Sequence, residues 1–154
     1  MTLRERFNDA LKEAMRARNQ RRVSTLRLVL AALKDRDIAS RSEDSREGIG
    51  EAEILTLLAR MIKQREESAA AYDIGARPEL AAAEREEILI IREFQPAQMS
   101  EAETRAAVAA AIGETGANSP KDMGQVMALL KARYTGRMDL GRAVVAVREV
   151  LASQ

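Results

Sequence analysis

The side chains best suited to holding a ligand lie in the last third of the chain, where Lys121, Lys131, Arg133, Arg137 and Arg142 surround Gly124, Tyr134 and Gly136. Cations around a glycine-permitted turn suit a sugar–phosphate backbone, because ammonium and guanidinium groups meet phosphate oxygens and a tyrosine ring can stack on a base. The structural alternative makes Met123, Met127 and Tyr134 core residues and the cations a solvated surface. Methionines at helical spacing favour the core for Met127, while the cations leave both readings open. A second basic cluster, Arg16, Arg18, Arg21 and Arg22, surrounds Asn19-Gln20. It reads as a solvated corner favoured by a helix C-terminus, with phosphate contact as the alternative.

Bond-making chemistry is poorly supplied. The chain has neither histidine nor cysteine. That removes the commonest general base and metal ligand, thiol nucleophiles, disulfides, and any Ser-His-Asp or Cys-His arrangement. Glu84, Glu86, Glu87 and Glu93 form an acidic row, but an acid–base pair needs burial to separate its pKa values, and an acidic solvated face is the favoured reading. Phosphate-loop, dinucleotide, zinc and calcium motifs are absent. The sequence therefore offers no catalytic residue, metal ligand or cofactor site.

The elements that carry these residues are all helices. Of 154 residues, 46% are hydrophobic and only 3% aromatic, so cores of Leu, Ile, Val, Met and Ala are expected, which suits helix-on-helix packing. Thr2 and Glu5 form a capping box that opens a first helix with Leu3, Phe7, Leu11, Ala14 and Met15 on one face. A tight turn leads to a second helix with Val23, Leu26, Leu30, Leu33 and Ile38 inward, giving an antiparallel hairpin. Residues 41–50 are polar, aperiodic and glycine-punctuated, and read as a mobile loop. A third helix over 51–72 turns Ile54, Leu55, Leu58, Met61, Ile62 and Ala69 inward and stops at Gly75. A fourth starts near Pro78 and turns Leu80, Ala83, Ile88, Ile91 and Phe94 inward, its apolar end buried on more than one side.

Gln95-Pro96 breaks this helix and sets the domain boundary, giving domains 1–95 and 96–154. Ser100 and Glu103 cap a fifth helix that ends at Gly113 and Gly116. Ser119 caps a sixth with its hydroxyl, with Pro120 in the first turn. Gly136 offers a left-handed stop, and Asp139 caps a seventh with Leu140, Val144, Val147 and Leu151 inward. Gly124, inside a helix, implies close approach by a backbone, protein or ligand. The fold class is all-α, four helices then three, the small second part expected to lean on the fourth helix or a partner.

Charge is segregated along the chain. Residues 1–40 hold 10 basic and 5 acidic side chains, residues 41–104 hold 8 and 15, and residues 105–154 hold 7 and 4, for a total of +1. A polyanion is thus expected at the basic ends rather than over the whole surface. No run reaches the roughly 18 apolar residues of a membrane span, and no export signal is visible, so a cytoplasmic location without membrane contact is expected.

Taken in order, several stretches resemble the GatB/YqeY family, in particular its stand-alone YqeY-like members. They are Thr25-Leu26-Arg27-Leu28 with Ala31-Ala32-Leu33-Lys34 and Ile38; Lys63-Gln64-Arg65-Glu66-Glu67-Ser68; Tyr72, Gly75-Ala76-Arg77 and Leu80; the joint Phe94-Gln95-Pro96-Ala97-Gln98-Met99-Ser100; and Asp122-Met123-Gly124, Val126-Met127 and Gly136-Arg137 with Asp139. Gln95 and Met99 stand where the family's joint has leucines. The resemblance implies a C-terminal domain like the tail of the B subunit of tRNA-dependent amidotransferases, which holds tRNA while chemistry resides elsewhere. It also implies a tRNA or amidotransferase partner and carries the label of a carbon–nitrogen ligase with glutamine as amide donor. The glutaminase serine and the magnesium-dependent phosphorylating domain have no counterpart in these residues. What carries over is tRNA binding at Lys121, Gly124, Lys131, Arg133, Gly136 and Arg137, with binding expected to fail when Arg133 and Arg137 become alanine. Two other functions compete. One is a protein–protein adaptor using residues 88–91 or the alanine-rich fifth helix; the other is a ligase subunit whose partner supplies the chemistry.

Overall fold

The computed structural model describes residues 1–41 and 47–153. The described residues are helical with no strand, and the chain divides into two compact units, Met1–Gln95 and Pro96–Gln154. Five positions of the expected loop, 42–46, lie outside the described residues.

The first unit holds α1 (Leu3–Arg16), α2 (Gln20–Ala39), α3 (Glu51–Ile74) and α4 (Pro78–Arg92). The Thr2–Glu5 capping box is present in full, and Asn19 caps α2 by accepting from the Arg22 N–H at 3.1 Å. One core joins all four helices through Leu3, Phe7, Leu26, Val29, Leu33, Ile54, Leu58, Met61, Ile62, Ile88 and Ile91, with Phe94 just after α4. α3 and α4 pack most closely, whereas α2 and α3 touch only sparingly. Thr25, the buried polar residue of this core, donates its hydroxyl to the Arg21 carbonyl at 2.9 Å.

Some apolar positions face outward against expectation. Ile38 and Met15 are half exposed, and Leu80 is 40% exposed. Ile38 is in the last turn of α2 and Leu80 in the first of α4, where fewer neighbours surround a helix. In the apolar end of α4, Ile88 and Ile91 are buried and Ile90 is partly buried against the core, whereas Leu89 is 64% exposed.

The α3–α4 corner also departs from the sequence reading. Gly75 has φ −80°, and the left-handed residue is Ala76 at φ 56°. The Arg77 N–H then reaches back to the Tyr72 carbonyl at 2.8 Å and closes the helix. An L-residue in this conformation costs about 1–2 kcal/mol, only partly offset by glycine's greater chain entropy. Ala76→Gly should therefore raise unfolding stability by about 0.5–1 kcal/mol, read as a higher urea midpoint at unchanged slope.

The second unit holds α5 (Glu101–Thr115), a 3-10 turn (Pro120–Asp122), α6 (Met123–Tyr134) and α7 (Leu140–Ala152). Its core is Val108, Ala111, Ile112, Val126, Leu130, Met138, Ala143, Val147 and Leu151, with Met99, Met123, Met127 and Tyr134 packed at its edge. The Ser100–Glu103 capping box forms, and Asp139 caps α7 by accepting from the Arg142 N–H at 3.2 Å. Gly113 lies within α5, which ends at Gly116 with φ 68°. The expected Ser119 hydroxyl cap is not made; Ser119 is extended and leads into the 3-10 turn, whose tighter geometry takes up the helix start. Asp122 instead accepts from the Asn118 N–H at 3.1 Å.

Candidate nucleic-acid interface

Helical periodicity separates the C-terminal basic residues. Val126 and Leu130 are fully buried, which turns Gly124 and Lys131 to the opposite, exposed side of α6. Lys121 is exposed on the 3-10 turn just before the helix. Arg133 falls near the buried face and reaches over the helix end to Glu114 of α5, 2.6 Å away. Both groups are about half exposed, so the pair adds little stability, but it engages the guanidinium. Tyr134 packs against the core, which takes its ring away from free stacking.

Gly124 has no crowding behind it. A methyl group there meets nothing within 4 Å, so among the described residues no approaching backbone accounts for this glycine. Gly136 differs. α6 already ends where Thr135 turns extended at ψ 128°; Gly136, with φ 87°, makes the turn that follows, and the Arg137 and Met138 N–H groups both return to the Tyr134 carbonyl, at 2.9 and 3.0 Å. The joint segment lies against this turn. The Met99 N–H donates to the Arg137 carbonyl at 2.8 Å, and the Gln98 amide donates to the Gly136 carbonyl at 2.6 Å and the Pro96 carbonyl at 2.9 Å. The protein's own residues 96–99 thus lie against the Gly136 turn. Met99, in place of leucine, remains at the core's edge.

Arg137 itself is exposed, with only a marginal contact from Nε to the Ala97 carbonyl at 3.5 Å. It stands near Glu103, whose carboxylate is held below its ordinary pKa mainly by the Ser100 N–H, with Arg137 adding a smaller pull. Arg142 approaches Asp139 loosely, at 3.6 Å with both side chains well exposed. Among the described residues, Lys121, Lys131 and Arg137 make no ion pair, and neither does Arg148 on α7, which the sequence reading did not single out.

The N-terminal basic cluster is divided too. Arg21 pairs with Glu86 at 3.2 Å and Arg22 with Glu93, while Arg16 and Arg18 are exposed. Glu87 takes Arg65 at 3.0 Å, and Arg92 takes Glu66 at 2.8 Å. Glu86 and Glu87 of α4, with Glu93 just after it, thus supply counter-ions for arginines of α2 and α3. The segregation of charge along the chain largely cancels within the fold: residues 1–95 carry 18 basic and 18 acidic side chains, and residues 96–154 carry 7 and 6. Affinity for a polyanion then depends on local unpaired cations, not on net charge. Among the described residues no cluster of three or more acidic side chains could hold a metal ion, and no helix is long and apolar enough to cross a membrane.

Such a molecule is an all-helical protein of two units with exposed cations that can hold an anion. The family model described as YqeY, Yqey-like protein, matches residues 4–151, and the chain belongs to that family. It is also similar to "Altered inheritance of mitochondria protein 41, mitochondrial" of Kluyveromyces lactis, with 33% identity over 87 residues, 56% of this chain and 45% of the relative. The matched stretch thus spans under half of that relative's length.

Proposed function

We propose that this protein is a tRNA-binding accessory factor, linked to a tRNA-dependent amidotransferase or another tRNA-modifying assembly, that contributes no active site of its own. The observation that carries this reading is the exposure of Lys121, Lys131 and Arg137, without ion-pair partners among the described residues, on the helix and turn that bear the C-terminal signature. Phosphate oxygens are the natural partners of such groups. Arg133 and Gly136 then act chiefly on position, Arg133 through Glu114 and Gly136 through the turn that presents Arg137.

The test is tRNA binding by the full chain and its variants. Removing a cation that neutralises one phosphate lowers affinity and reduces the salt slope by about 1, so Lys131→Ala with Arg137→Ala should weaken binding by roughly tenfold or more at low salt. Arg133→Ala should cost less. Wild-type affinity in the double variant would remove these residues from the interface.

Gly124 gives a separate expectation. Alanine there gains up to about 1 kcal/mol of helix propensity and meets open space. Thermal unfolding should show the gain, and tRNA affinity should fall if an RNA backbone lies against this face. A gain in stability with unchanged affinity would place Gly124 outside the interface.

An adaptor function is the second reading. The observations favouring it are Ile74, 89% exposed at the end of α3, and Leu89, 64% exposed on α4. The relative's name speaks of mitochondrial inheritance and of no reaction, which suits either reading. A protein partner that no longer binds after Leu89→Glu, with no tRNA bound, would select it.

A further inference from the structure

Leu28 and Ala31 of one stretch singled out in the sequence, and Gln64 and Arg65 of another, border one place on the surface of the first unit, above the core residues Leu57 and Met61. α2 and α3 touch sparingly, and between them runs a groove of about 430 Å³. Its apolar lining comes from Leu28, Ala31 and Ala32 on α2 and from Leu57 and Met61 on α3. Gln64 and Arg65 of the second stretch lie along the same groove. Leu28 is 47% exposed, so its burial in this unit cannot account for it.

The charges along the groove are uneven. Arg36 on α2 and Arg60 on α3 line it from opposite walls, and neither makes an ion pair among the described residues. Arg65 is engaged by Glu87, and Asp35 is the one acidic side chain among the lining residues. The groove thus has an apolar floor and, on its two walls, cations that no carboxylate among the described residues pairs with. A similar cleft between α3 and α4 differs in this respect, since its Arg85 and Arg92 are held by Asp73 and Glu66.

From this arrangement we infer that the α2–α3 groove is a docking site for an acidic amphipathic helix of a partner protein. Apolar side chains at three- and four-residue spacing enter between Leu28, Ala31 and Met61, and carboxylates on the flanks of that helix meet Arg36 and Arg60. The site lies wholly within the first unit and shares no residue with the tRNA-binding reading.

The test uses the full chain, isotope-labelled for NMR, and a helix-stabilised peptide with leucines at i, i+3, i+4 and i+7 and glutamates on its flanks. Shifts should concentrate at Leu28, Ala31, Met61 and Gln64. A copy with lysines for glutamates should bind about tenfold or more weakly, as should Arg36→Glu with Arg60→Glu against the acidic peptide. Leu28→Glu changes an exposed residue, so it should fold normally and fail to bind the peptide. Equal binding of both peptides, shifts elsewhere, no shifts at millimolar peptide, or occupation of these residues by tRNA or by a second copy of the chain would overturn the inference.

Discussion

Phe7→Ala should lower the unfolding free energy by about 3–5 kcal/mol. Phe7 is completely buried, and its ring meets Phe94 edge to face, with centroids 4.9 Å apart and planes at 63°. The Arg6 guanidinium covers the other ring at 5.3 Å and also donates to the Glu93 carbonyl at 3.0 Å. Deleting the Phe7 ring removes the aromatic pair, opens a cavity in the core, and exposes the underside of the α4 end. The chain has only two phenylalanines and no tryptophan, and the neighbours are aliphatic residues already held by helices. The cavity can therefore collapse only in part. Urea unfolding followed by circular dichroism would measure the destabilisation; a change below about 1 kcal/mol would mean that the packing of α1 on the end of α4 contributes little.

Asp37→Ala should cost about 2–3 kcal/mol, because it removes a charged hydrogen-bond junction rather than a single surface pair. Arg4 donates through Nη1 and Nη2 to the two carboxylate oxygens, each at 2.8 Å, and Nη2 also donates to the Ile49 carbonyl at 2.8 Å. The Ile49 N–H closes the junction on Asp37 at 2.9 Å. Ile49 is buried in the first core, so this junction holds the end of the loop against α1 and α2. Gly48 belongs to the same device: its φ is 83°, and a methyl group there would stand 2.4 Å from the Asp37 carboxylate. Gly48→Ala should accordingly destabilise by more than 1 kcal/mol, roughly the cost of the left-handed backbone alone.

The same junction fixes a pH dependence. The Arg4 guanidinium, helped by the Ile49 N–H, lowers the Asp37 pKa to about 2 from an ordinary 3.8. A carboxylate depressed in the folded state contributes stability above its unfolded pKa and loses it as pH falls through the folded value. The loss runs from about pH 4 to pH 2 and, because solvent reaches the pair, amounts to about 1 kcal/mol. Asp37→Asn should flatten that part of the profile. An unchanged profile would assign the acid sensitivity to other carboxylates.

Helix order, the two complete capping boxes and the left-handed conformation of Gly136 were legible because each depends on residues within four positions of one another. Ala76 was not, since a glycine one position earlier is the stronger local signal for a left-handed stop, and the hydrogen bond from Arg77 to Tyr72 decides the register. The Arg4–Asp37–Ile49 junction joins three distant stretches, and its one local hint was an isoleucine between two glycines in a polar loop. For the candidate interface, sequence gathered the cations but not their pairing. Arg133 and Glu114 are 19 positions apart, and Arg21 and Glu86 are 65 apart, separations at which charge patterning along the chain is silent.

The central claim is that a few unpaired cations in residues 121–137 hold tRNA. The most direct measurement is the affinity of the full chain for total tRNA between 50 and 200 mM salt. With about three phosphates neutralised, the logarithmic salt slope should be about −2 to −3, so that affinity falls roughly 20- to 60-fold across that range. Lys131→Ala with Arg137→Ala should bring the slope down by about 2. No binding at 50 mM salt, or a slope untouched by the two substitutions, would contradict the account.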